Sequence, residues 1–80
     1  MAQYHFEMLS LAGASIDDTP KEERNILGHT FALDSDKVPE AKKILDEALK
    51  KITELETDSK QKDSVYQAEL ALFPLTKKVG

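Results

Sequence analysis

Val38, Ala41, Leu45, Ala48, Ile52 and Leu55 follow one another at steps of three, four, three, four and three residues. That rhythm matches the 3.6-residue turn of an α-helix and places all six on one stripe. Ile44 and Leu49 widen the stripe to the breadth of a core-facing surface. Lys42, Lys43, Asp46, Glu47, Lys50, Lys51 and Glu54 occupy the opposite side. The spacing predicts an amphipathic helix over about 36–57. Asp34, Ser35 and Asp36 precede it as N-cap candidates, and Pro39 is tolerated because it falls in the first turn.

The flanking segments read differently. Residues 2–14 predict a helix, with Tyr4, Met8, Leu11 and Ala12 on one face, Phe6 and Leu9 widening it, and Gly13 as the stop. No capping residue precedes Tyr4, so this helix is expected to continue a longer one. Thr19-Pro20-Lys21-Glu22 is a compact start signal: Thr19 can cap, Pro20 suits the first helical position and Glu22 can close a capping box. One turn through Glu23 is expected. Residues 25–33 read as a strand, with Leu27, His29, Phe31 and Leu33 on one face and Ile26, Gly28, Thr30 and Ala32 on the other. Thr57 to Asp63 is a polar loop. Residues 64–73 read as a second strand, with Tyr66, Ala68, Leu70 and Leu72 on one face, ended by Pro74. Thr76 to Gly80 is a basic tail.

The expected fold class is therefore α+β, in the order helix, strand, helix, strand. A helix matched in length to the strands it joins suggests a right-handed β-α-β crossover between parallel strands. The helix stripe is then expected to cover that sheet. Two parallel strands alone leave both edges open and bury little. The small sheet is expected to be completed by a partner or a second copy.

Length and charge limit the function. Eighty residues allow one domain, whose stability as an isolated unit is marginal. There are no cysteines, so neither a disulfide nor a thiolate metal site can compensate. Oligomerisation or docking is the remaining route. With 15 acidic and 11 basic residues the net charge is −4. An acidic surface repels phosphate, so direct nucleic-acid binding by this piece is not expected. The first ten residues lack the basic start and apolar core of a signal peptide, and no apolar run reaches the ~20 residues that cross a bilayer. A cytoplasmic setting without membrane contact is expected.

No residue pattern carries catalysis. His5 and His29 lack converging ligands at a recognised metal spacing, and read as ordinary structural or surface histidines. No Gly-x-Ser-x-Gly occurs, and a serine–histidine pairing, which sequence alone leaves open, carries little weight. Asp17-Asp18 fits a solvated loop better than a calcium site. The lysines at 42, 43, 50 and 51 are interleaved with acids and read as a solvated face. Arg24 reads as a local salt bridge. No catalytic residue, metal ligand or cofactor is expected. Leu70-Ala71-Leu72-Phe73-Pro74-Leu75 is the most apolar stretch and serves equally as strand core or interface, since Phe73 and Leu75 fall on the face opposite Leu70 and Leu72.

Two segments resemble a known family. Glu23-Arg24-Asn25-Ile26-Leu27-Gly28-His29-Thr30 resembles a Glu-Arg-Asp-Ile-x-x-x-Thr stretch. Val65-Tyr66-Gln67-Ala68-Glu69-Leu70-Ala71-Leu72-Phe73-Pro74-Leu75-Thr76 is similar to a C-terminal Val-Tyr-Gln-Leu-x-x-x-Leu-Phe-Pro-Leu-Thr. Both belong to a family of bacterial helix-turn-helix transcriptional regulators. Asn25 and Ala68 depart mildly from the pattern. The resemblance spans nearly the whole chain and implies the C-terminal domain, of unknown function, of such a regulator, with the DNA-reading part elsewhere.

Three functions stand beside one another on these grounds. The first is a non-catalytic regulatory and dimerisation domain of a bacterial transcriptional regulator, forming a homodimer or docking to an N-terminal helix-turn-helix part. Its expected interface residues are Phe31, Leu33, Leu70, Leu72 and Phe73. The second is a free-standing adaptor that offers a strand edge to another protein. The third, a small enzyme, has least in the sequence to recommend it.

Overall fold

The computed structural model describes residues 2–77 and contains two α-helices and two single 3-10 turns. Helix α1 runs Ala2–Asp18, and helix α2 runs Val38–Asp58. The turns are Lys21–Glu23 and Ser35–Lys37. The chain divides into two units, Met1–Phe31 and Ala32–Gly80.

Within the first unit, α1 passes through Gly13 instead of stopping there. A mid-helix glycine costs roughly 1 kcal/mol relative to alanine, which the flanking Ala12, Ala14 and Ser15 can carry. Ser15 Oγ donates to the Ala12 carbonyl at 2.6 Å, and the Thr19 N–H still reaches the Ser15 carbonyl at 3.0 Å. The actual stop is Pro20, which pushes the residue before it out of the helical region. Asp17 and Asp18 are therefore the last residues of α1, where a loop was expected. The turn Lys21–Glu23 forms as the sequence predicts, but its N-cap is Pro20 and no side chain caps it. Its backbone bond runs from the Glu23 N–H to the Pro20 carbonyl at 2.9 Å.

In the second unit, α2 covers the whole predicted stripe. It begins two residues later than predicted because Ser35–Lys37 forms a 3-10 turn, closed by the Lys37 N–H on the Asp34 carbonyl at 2.9 Å. Pro39 lies in the first turn, and no side chain caps the start. Thr53 Oγ1 donates to the Leu49 carbonyl at 3.1 Å, and Thr57 Oγ1 to the Thr53 carbonyl at 3.2 Å. At the C-terminus the Ser59 N–H bonds the Glu56 carbonyl at 3.1 Å, which tightens the last turn.

The α+β expectation is overturned: among the described residues there is no strand and no sheet, and the regular structure is all helical. Segments 25–33 and 64–73 carry no ladder. Outside the helices, the backbone bonds of the described residues are turn bonds at Thr19, Glu23, Arg24, Lys37 and Ser59. The physical reason is that β-propensity alone does not make a strand. The ladder comes from a second segment, and parallel pairing also demands cover on both faces. The β-α-β crossover and the strand edge offered to a partner fall with the sheet. The tail expected at Thr76 to Gly80 lies outside the described residues from Lys78 on.

Candidate association surface

No described residue is buried. Met8, Ala12, Ser15, Thr19, Arg24, Val38, Ala41, Leu45 and Glu69 are half-buried, and all other described residues are exposed.

The apolar surface lies in three places. On α1, Phe6 and Leu11 border a shallow open depression with Gln3, Glu7, Met8 and Ser10. Gln3 Nε2 donates to Glu7 Oε1 at 3.1 Å across one turn. On α2, Ile44, Leu49, Ile52 and Leu55 are all exposed. These four were expected to cover a sheet, and without one their apolar face meets solvent. In the segment after α2, Val65 is fully exposed, and Tyr66, Leu70, Leu72, Phe73 and Leu75 follow it.

The five residues expected at an interface are all accessible, from 36% at Leu72 to 65% at Phe73. Phe31 belongs to the first unit, and Leu33, Leu70, Leu72 and Phe73 belong to the second. Leu33 borders a small open depression with Ala32, Asp34 and Lys37.

The polar residues singled out by sequence have local roles. Arg24 makes a hydrogen bond where an ion pair was expected: its Nε donates to the Thr19 carbonyl at 3.1 Å, across the turn after α1. The ring of His29 stacks on Phe31, and that of His5 meets Tyr4 edge-on with centroids 5.3 Å apart. Among the described residues no group of three His, Asp or Glu side chains is placed to hold a metal ion. No helix among them is long and apolar enough to cross a membrane. What this geometry can do is bury apolar area against another surface.

The sequence model of the family described as "Domain of unknown function (DUF4423)" matches residues 1–75, and the chain belongs to that family. The comparisons with curated proteins and with solved structures found no match.

Proposed function

We propose that this member of the family is a non-catalytic regulatory and association domain of a bacterial transcriptional regulator. DNA reading falls to a helix-turn-helix part outside these residues. One observation carries the association half of the reading: a chain with 40% hydrophobic residues buries none of its described ones. Apolar side chains contribute about 1.5–3 kcal/mol each when taken fully out of water. A second surface is the natural means of collecting that stabilisation.

The regulator half rests on the similarity of Val65 to Thr76 and of Glu23 to Thr30 to that family's sequences. The net charge of −4 agrees with DNA contact lying elsewhere, since an acidic domain is ill suited to phosphate contact. A two-fold dimer of this domain would set two DNA-reading heads at a fixed separation, as operators of two-fold symmetry require. Phe31, Leu33, Leu70, Leu72 and Phe73 are proposed to contribute to the interface.

The test is the mass in solution by light scattering across a dilution series. A dimer of the 9.0 kDa chain is expected, with Leu70→Asp and Phe73→Asp lowering the mass. A monomer at every concentration overturns self-association and directs the search to docking on the helix-turn-helix part or to a foreign partner.

A further inference from the structure

Helix α2 carries a lysine at its N-cap, with Glu40 as a favourable acid in its first turn, and acids with no base in its last turn. Lys37 sits at the N-cap, facing the positive end of the helix dipole. Glu56 and Asp58 sit in the last turn, at the negative end, with no basic residue beside them. Lys37 and the acids of the last turn are each unfavourable where they sit and complementary to one another.

The stripe between them has the same property. Its first five residues, Val38, Ala41, Leu45, Ala48 and Ile52, alternate in size, Leu55 follows, and all six lie within Val38–Asp58. In a parallel pair, like residues face one another. Leu45 would meet Leu45 and Ala48 would meet Ala48, so the bulky layers hold the helices apart over the alanine layers. Lys37 would also face Lys42 of the other copy. Turned end for end, large meets small in the two central kinds of layer, Ala41 facing Ile52 and Leu45 facing Ala48 of the second copy, while Val38 faces Leu55. Interdigitation of that kind is what close packing requires. Lys37 then lies against Asp58 of the second copy. Lys42 and Lys51 lie along Leu49 and Ile44 of the second copy, where their methylene stems cover exposed apolar surface. No like charges meet.

We infer that α2 is a self-association element, and that two copies of this chain pack their α2 helices antiparallel about a two-fold axis near the midpoint of Asp46 and Glu47. The occupant is a second copy because the match is self-complementary: the same two ends and the same six positions satisfy each other under the two-fold. The contact lies wholly in the unit Ala32–Gly80. It rests on the reading of the chain as an association domain and adds the partner and its orientation.

The chain has no cysteine, so introduced thiols report without background. Ala41→Cys and Ile52→Cys chains are prepared separately, mixed in equal amounts and oxidised with oxidised glutathione. The antiparallel pair is expected to give the mixed 41–52 disulfide well beyond the two-fold excess over either homodisulfide that random pairing of equal amounts produces. Lys37→Asp places two acids together and is expected to weaken dimerisation about two- to five-fold, with the Lys37→Asp/Asp58→Lys double variant recovering it. Homodisulfides in excess, or the statistical mixture, would overturn the antiparallel arrangement. A chain that is dimeric by mass but forms no disulfide at these positions would also overturn it, leaving association through another face. A monomer at every concentration would overturn self-association itself.

Discussion

His29 and Phe31 lie ring on ring, with centroids 5.2 Å apart and planes 11° from parallel. Residues two apart meet in this way when the backbone between them is extended and side chains alternate, because on a helix they would point some 200° apart. The alternation of Leu27, His29, Phe31 and Leu33 is therefore present at these two positions without a ladder to enforce it. The stack contributes roughly 0.5–1.5 kcal/mol. Phe31→Leu is expected to move the His29 ring protons downfield as the ring current is lost, while Leu27→Ala leaves them in place. Proton NMR of the histidine ring checks both.

Gly13 stands inside α1, and a Cβ built on it meets nothing within 4 Å. Gly13→Ala is expected to stabilise α1 by about 0.5–1 kcal/mol, partly by restricting the unfolded chain. Far-UV circular dichroism should show higher helix content and a higher thermal midpoint at fixed chain concentration. An unchanged signal would mean that α1 is not continuous through this position.

The Arg24 Nε bond to the Thr19 carbonyl ties the turn Lys21–Glu23 to the end of α1. Arg24→Ala removes the donor, at a cost of about 1 kcal/mol. The Glu23 amide, bonded to Pro20, and the Arg24 amide, bonded to Lys21, are expected to exchange with solvent about five-fold faster. Amides in α2 serve as the control.

Lys62 adopts φ 45°, the one left-handed non-glycine among the described residues. That conformation costs a side-chain-bearing residue roughly 1–2 kcal/mol, and asparagine tolerates it best after glycine. Lys62→Asn is expected to raise stability by up to about 1 kcal/mol, and Lys62→Val to lower it, since a β-branched residue fits that region poorly. Thermal unfolding at one chain concentration compares the two, because the proposed dimerisation would make the midpoint concentration-dependent.

Legibility followed the range of the interaction. The α2 stripe could be read nearly to its ends, since the 3-10 turn at Ser35–Lys37 shifted the start by only two residues. The turn at Lys21–Glu23 was equally plain from Pro20. The end of α1 was misplaced because glycine lowers helix stability without forbidding it, whereas Pro20 does forbid it. The candidate surface was visible as apolar residues, but not as an exposed one. Ile44, Leu49, Ile52 and Leu55 look the same in sequence whether a sheet covers them or not.

What the sequence determined by itself is the helices, the chain's acidity and the absence of cysteine. A helix closes its hydrogen bonds between residues four apart, so one stretch of chain contains both partners of every bond. A strand takes its partners from elsewhere. Whether 25–33 and 64–73 became strands was thus a tertiary decision, and within this chain neither received a ladder. The same decision left Ile44, Leu49, Ile52 and Leu55 of α2 exposed, because the sheet that would have covered them could form only if those two segments paired.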